Sequence, residues 1–288
     1  MFCLDDCSRC PVILLSARSF VLALVLFVVC QSAFAFDKQH QLLTSQLKKY
    51  VHAGCVDYAA WKKSTKLLDA YLASLAEISA QEYEALSTSD KKALWLNGYN
   101  AFTIKIVLDH YPLHGNVDYY PQDSLRQIPD VWEVYHFKIA GRSVDLDYVE
   151  HGVIRREFHD PRMHFAVVCA ARGAAPLCNR AFTADDIDDV LEEAKNAYLS
   201  DTKNLRFDEE NKVLLVSRVF SWFPLDFAPA NFFKGRTKPP SDFAVILAYL
   251  ASNGPPDLVK KLATVPDLSA IKVSYLSYDW SLNDCPKN

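Results

Sequence analysis

Four short stretches of the chain gather polar and aromatic side chains inside otherwise apolar sequence. The first is His164-Phe165-Ala166-Val167-Val168-Cys169, followed by the small-residue run Ala170-Ala171-Arg172-Gly173-Ala174-Ala175-Pro176. Phe165 to Val168 reads as a short apolar strand, with Cys169 at its end and a tight turn behind it. A thiol placed there, facing exposed backbone N–H groups, has the ingredients of a nucleophile with an oxyanion site. Along a strand His164 and Cys169 point to opposite faces, so a direct pair requires the strand to end or bulge near Val168. The competing reading makes Cys169 a small buried hydrophobe, or half of a disulfide to Cys178.

The second stretch is Trp95-Leu96-Asn97-Gly98-Tyr99-Asn100-Ala101, where two asparagines three apart share one helical face. A buried amide needs several partners, so it either ties loops to the core or organises a site. The third is Glu150-His151-Gly152. A carboxylate beside an imidazole can fix its tautomer, but adjacent residues on a helix do not face each other. The fourth is Tyr278-Asp279-Trp280-Ser281-Leu282-Asn283 near the C-terminus. It reads as a latch onto the core, or as the source of a carboxylate, Asp279, that orients a histidine. The candidate catalytic residues are therefore Cys169, His164, His151 and Asp279. The candidate substrate-binding residues are Asn97, Asn100, Glu150, Tyr99 and Trp280. None of Cys55, Cys169, Cys178 and Cys285 sits in a C-x-x-C, and no ligand spacing on one helix supports a metal, so neither a metal nor a cofactor is expected.

The elements that must position these residues can be read from periodicity. Residues 39–52 and 67–75 have the apolar spacing of amphipathic helices, and 83–86 that of a shorter one. Gly54 reads as a helix stop, and Val56-Asp57-Tyr58 as an extended link. From Lys91 to Leu108 the chain is apolar nearly all round, which predicts a buried helix, N-capped by Ser89 and ended before Pro112. Residues 137–146 and 205–216 read as hairpins. Helices are expected from Asp147, from Thr183 through Tyr198, and from Phe243 to Leu250, with a closing strand over Ile271 to Leu276. Helices and hairpins in separate blocks predict an α+β fold, helix-rich with a small, mostly antiparallel sheet.

The whole chain has 288 residues, half of them hydrophobic, and a formal net charge of −4. That balance supports a real core and lacks the basic stripe of a nucleic-acid binder. Arg18, an apolar run from Phe20 to Cys30 and Ala33-Phe34-Ala35 together read as a signal peptide over 1–35. The run is about half the ~20 residues that span a bilayer, so no stable membrane span is expected after cleavage. A lipid-modified Cys30 is the competing reading, and a later translation start near Val12 or Leu14 would account for the long leader before Arg18, which carries Asp5 and Asp6. Residues 36–288 then form a single globular domain, exported to the periplasm or beyond. Cys3, Cys7, Cys10 and Cys30 leave with the leader. Cys55, Cys169, Cys178 and Cys285 remain, in a compartment where disulfides form, with three full pairings open.

Val56-Asp57-Tyr58, Trp95 to Ala101, Glu150 to Arg155, Asp160 to Ala166, Ala181 to Ala184, Ser217 to Phe223 with Asp226-Phe227, and Tyr278 to Asn283 stand in an order that resembles the domain of unknown function 547 family over roughly residues 45–283. The family's polar constellation is similar to that of papain-like and transglutaminase-like hydrolases, which pair a cysteine with a histidine and a carboxylate or amide. Family members usually read Cys-Ala-Ser, then glycine and a second cysteine before proline. Here those serine and second-cysteine positions are Ala171 and Ala174. The resemblance implies a thiol-dependent hydrolase or acyltransferase of the cell envelope, built on Cys169 and acting on a small-molecule or peptide ligand. The alternatives are a non-catalytic binding module using the same pocket, and a structural protein with no pocket there.

Overall fold

A computed structural model describes residues 36–235 and 240–286. The leader reading, with Cys3, Cys7, Cys10 and Cys30, falls on residues outside these. Asp37–Asn288 forms one compact unit. Its elements begin with helix α1 (Gln41–Tyr50), the two-residue strands β1 (Val51–His52) and β2 (Cys55–Val56), and helices α2 (Tyr58–Lys62), α3 (Lys66–Ala76) and α4 (Ala80–Glu84). Gly54, with φ +86°, makes the β1–β2 turn together with Ala53 at φ 48° rather than ending a helix. Positive φ at both turn residues matches the twist of a two-residue hairpin. The expected extended link ends at Val56, because the Asp57 carboxylate accepts the Ala60 N–H at 2.9 Å and opens α2.

Helix α5 (Thr88–His110) is the central element, buried almost without interruption from Ala93 to Leu108. Its cap is Ser87, not Ser89. Ser87 Oγ accepts the Asp90 N–H at 3.0 Å and Asp90 Oδ2 accepts the Ser87 N–H at 3.0 Å. That reciprocal box needs an acidic or amide residue three positions on, and from Ser89 the third residue is Lys92. Helices α2 and α3 pack against α5. Next come the hairpin β3 (Phe137–Ile139) and β4 (Arg142–Val144), then a π-helical turn (Tyr148–Ile154) that runs into α6 (Arg155–Phe158). The π turn, where an ordinary helix was expected, also packs on α5. Such turns are uncommon and concentrate at functional sites.

The expected strand over Phe165–Val168 is absent. Residues Pro161–Phe165 form a 3-10 turn, with Asp160 Oδ1 accepting the Arg162 N–H and proline at the first position. The backbone beyond it finds partners in a side chain: Asn100 donates to the Ala166 carbonyl at 3.0 Å and accepts the Val168 N–H at 2.9 Å. One amide thus supplies what a neighbouring strand would have supplied.

A second core lies beside α7 (Ile187–Ser200). It joins a sheet of β5 (Leu205–Asp208), β6 (Val213–Val216) and β7 (Lys272–Tyr275) to α9 (Asp242–Asn253), with α8 (Val219–Trp222), a 3-10 turn (Pro224–Phe227) and α10 (Pro256–Ala263) around it. Helix α7 starts later than Thr183, whose hydroxyl instead donates to Asp186. Strands β5 and β6 pair antiparallel, β6 and β7 parallel. Helices, two small hairpins and one three-stranded mixed sheet make this an α+β fold. No helix among the described residues is long and apolar enough to cross a membrane.

The C-terminal segment is strapped across the front of the molecule. Ala171 bridges Leu282 antiparallel, Val56 bridges Asp284 parallel, and Cys55 is disulfide-bonded to Cys285. Of the remaining cysteines, Cys169 and Cys178 are free. A Cys169–Cys178 disulfide is therefore not formed.

Two stability effects are expected. His40 is buried, with Nδ1 2.8 Å from the Tyr71 hydroxyl, and burial lowers its pKa to about 4 against the opposing pull of Asp37 and Asp90. The folded state thus keeps His40 neutral, while the unfolded chain takes up a proton below about pH 6.5. Stability is full above that pH and falls as pH drops toward 4, losing about 2 kcal/mol between pH 7.5 and pH 5 from this group. Urea denaturation at both pH values checks it, and His40→Gln should flatten most of the difference. Asn100→Ala leaves the buried Ala166 carbonyl and Val168 N–H unpaired, and should cost about 2–4 kcal/mol in the same assay at pH 7.5.

Candidate functional site

A cavity of about 240 Å³ opens between the π turn, the loop that carries Cys169, α8 and the C-terminal strap. Of the candidate residues, Cys169, His164, His151, Glu150, Tyr99 and Trp280 line it. Asn97, Asn100 and Asp279 are not among its lining residues. Asn97 donates to the Phe182 carbonyl at 2.8 Å and accepts the Phe182 N–H at 2.9 Å. Asn100 holds the chain just before Cys169 in the same way. Both amides are spent on backbone, which leaves them as positioning residues rather than ligand contacts.

The backbone at Cys169 is shaped by the strap. Ala170 has φ 56°, a left-handed conformation that costs a Cβ-bearing residue roughly 1 kcal/mol. Its carbonyl accepts the Asn283 N–H at 3.0 Å, and beyond Ala171 the chain pairs with the strap through the Arg172 N–H to the Ser281 carbonyl and the Gly173 N–H to the Asp279 carbonyl, each at 2.8 Å. A Cβ at Gly173 would stand 2.9 Å from the Asp279 nitrogen and 3.0 Å from the Tyr278 ring. Small residues therefore let the strap lie close enough for the Tyr278 hydroxyl to come within 3.3 Å of Cys169 Sγ. Burial pushes the Cys169 thiol up, and the charge of Glu150 adds to it. The Tyr278 hydroxyl and the N–H groups of Ala171 and Cys169 itself work the other way.

His164 sits against this cavity with its side chain 7% exposed, its Nε2 2.8 Å from Asp226 Oδ2 and its ring stacked on Phe223 at 4.8 Å. Arg155 also grips Asp226, through Nε to Oδ2 and Nη2 to Oδ1. Burial acts to raise the Asp226 carboxyl, but the bonds from His164 and Arg155 outweigh it and hold it well below the usual carboxylate range. A carboxylate at Nε2 assigns that nitrogen the proton and leaves Nδ1 as the basic one. The orienting carboxylate expected at Asp279 is thus Asp226. Asp279 instead accepts the Ser281 N–H at 2.9 Å within the strap.

His151 is more exposed. Arg155 Nη1 donates to its Nδ1 at 2.9 Å, and its Nε2 lies 3.4 Å from Asp147. Glu150 does not pair with it; it accepts the Tyr99 hydroxyl at 3.0 Å, and Tyr99 in turn accepts Trp132 Nε1 at 3.3 Å. Aromatic rings make up much of the remaining wall: Trp132, Trp222, Phe223, Tyr278 and Trp280. Among the described residues no group of three His, Cys, Asp or Glu side chains is placed to hold a metal ion. Asp226, Arg155 and Phe223 stand in the stretches that carry the family resemblance but have no role assigned from the sequence, and Arg126 carries no sequence signal at all. Asp226 lies 62 residues beyond His164, a separation that carries no local signal.

Residues 83–199 match the model of a family described as "Protein of unknown function, DUF547". The match is shorter than the span of the sequence resemblance. It takes in Tyr99, Glu150, His151, His164 and Cys169, while Asp226, Tyr278 and Trp280 lie beyond it. No curated protein and no solved structure is similar enough to the chain to match. Residues 83–199, which carry the thiol and both cavity histidines, are thus similar to the DUF547 family.

Proposed function

We propose that this cavity is the site of thiol-dependent acyl transfer, as a hydrolase or acyltransferase, on a small-molecule or peptide substrate. The observation that carries the reading is the opening of a free thiol, Cys169, and a carboxylate-backed imidazole, His164, onto one cavity. Cys169 Sγ attacks the substrate carbonyl carbon and its proton passes to His164 Nδ1, with Asp226 stabilising the imidazolium. The N–H groups of Ala171 and Cys169 suit the oxyanion that forms. His164 returns the proton to the leaving group, and water or an acceptor nucleophile then releases the acyl group from sulfur. Because the thiol is pushed up, it rests protonated at neutral pH, so proton removal accompanies attack rather than preceding it.

The absence of Ser and Cys at Ala171 and Ala174 does not weigh against this scheme, since no side chain at either position takes a step in it and Ala171 contributes only its backbone N–H. A second reading, a binding pocket without covalent chemistry, draws on one specific observation. The hydroxyl of Tyr278, not an imidazole, is the hydrogen-bonding neighbour of Cys169.

We also propose export to the periplasm or beyond, after removal of residues 1–35. The Cys55–Cys285 disulfide supports it, since such bonds persist in oxidising compartments. In a chain-entropy account a crosslink closing 230 residues adds about 5 kcal/mol of stability.

Incubation with p-nitrophenyl acetate, followed by mass spectrometry of the intact protein and its peptides, separates the two readings. Acylation at Cys169 is expected, absent in Cys169→Ala and slowed about 100-fold or more in His164→Ala. Asp226→Asn should slow it by a smaller factor and shift its pH profile. The binding reading predicts no adduct at Cys169, or an adduct whose rate is indifferent to His164.

A further inference from the structure

Arg126 occupies one side of the same cavity under conditions unlike those of its neighbours. Its guanidinium carbon stands 4.3 Å from the Trp132 ring centre, 4.5 Å from Trp280 and 5.6 Å from Tyr120. The two indoles meet at 80° and form a corner around it. The stem is anchored from below, where the Arg126 N–H donates to the buried Ser124 hydroxyl at 3.1 Å. Arg155 has Asp226, and Arg162 has Asp160 and Asp188. Among the described residues no carboxylate stands within ion-pair distance of Arg126, and its Nε is sealed from solvent with no acceptor.

Aromatic faces hold a guanidinium by its flat sides, but they accept nothing from its in-plane N–H donors. Those donors are directed along the plane, where a carboxylate fits them two at a time. Glu133, Asp147 and Glu150 line the same cavity and make its background negative. That background opposes a doubly charged phosphate more than a singly charged carboxylate.

We propose that Arg126 receives a carboxylate of the substrate, so that the site takes an acyl compound carrying a free carboxylate at a distance from the bond Cys169 attacks. The second half of that statement rests on the acyl-transfer reading; the carboxylate recognition itself does not.

The test measures binding to Cys169→Ala, which prevents turnover, by tryptophan fluorescence and calorimetry. The probes are N-acetyl-alanyl-alanine, its C-terminal amide, N-acetyl-aspartate α-methylamide, whose side-chain carboxylate is free, and inorganic phosphate. At least one of the two carboxylate probes should bind about tenfold or more tighter than the neutral amide, with the advantage shrinking as salt rises. Dependence on Arg126 for the C-terminal acid marks a chain end as the ligand, and for the aspartate probe a side chain. In Arg126→Met on the same background the advantage should vanish while the amide's affinity stays within about twofold. Arg126→Lys should fall between, and it carries the test should Arg126→Met not fold.

Equal binding of acids and amide, binding of none of them, or preference for phosphate overturns the inference. Acylation of wild-type Cys169 by p-nitrophenyl acetate, which has no carboxylate, separates the two proposals. Loss of acylation with carboxylate preference intact sinks only the catalytic reading. The reverse pattern sinks only the role of Arg126.

Discussion

Asn100 extends one primary amide from a buried helix and uses it to hold two consecutive-but-one backbone groups, the Ala166 carbonyl and the Val168 N–H. Much of the site's geometry depends on that clamp. The loop from Ala166 to Cys169 has no strand partner, so without the amide its buried polar groups would be unpaired. With it, the chain can leave a 3-10 turn carrying His164 and arrive at Cys169 within five residues, with both side chains on one cavity. A regular strand would have sent them to opposite faces. Asn97, one turn earlier on α5, performs the same service for Phe182, so a single rigid helix positions the loop on both sides of the small-residue run.

Electrostatics then differentiate two histidines that are similar in sequence terms. Arg155 is shared: it doubly engages Asp226 and also donates to His151. The bonds from His164 and Arg155 keep Asp226 ionised against its burial, and the carboxylate in turn orients His164, so the His164 ring is fixed by hydrogen bonding on one edge and by Phe223 on one face. His151 faces the same cation directly and is the more exposed ring, with weaker backing from Asp147. A proton acceptor in a cavity needs both orientation and a counter-charge, and only His164 has both. Arg126 is the opposite case, a cation oriented by aromatic walls and not matched by an acid.

The parts of this arrangement that could be read from sequence are those written in local spacing. The buried character of α5 follows from its all-round apolar pattern, and the β3–β4 and β5–β6 hairpins from alternation around turn residues. The thiol, both histidines, Glu150, Tyr99 and Trp280 were legible because chemistry-bearing side chains are rare inside apolar sequence. What was not legible lies in long-range pairing. Asp226 serves His164 from 62 residues away, and its place in a short 3-10 turn gives no periodic signal. The strand expected at Phe165–Val168 failed for a related reason: a run of apolar residues records burial, while the partner of its backbone, here Asn100, is specified elsewhere in the chain. The cap is Ser87 rather than Ser89 because only Ser87 has an acid, Asp90, three positions on to complete the reciprocal box.

The strap adds a final constraint that links site and compartment. Tyr278 reaches Cys169 only because residues 278–285 are held along Ala170–Gly173 by backbone bonds, and the far end of that segment is fixed to β2 by Cys55–Cys285. The left-handed Ala170 is stabilised by the same pairing, through its carbonyl and Asn283. Asn283 also accepts the Tyr58 hydroxyl at 2.9 Å, which ties the strap to α2 and through it to α5. The conformation that turns the Ala171 N–H toward the sulfur is therefore not a property of the loop alone. It is maintained by a segment whose anchor is a covalent bond between residues 230 apart in sequence, and that bond forms only where thiols are oxidised. An environment that closes Cys55–Cys285 while leaving Cys169 reduced suits a thiol kept protonated by burial, because oxidation proceeds through the thiolate.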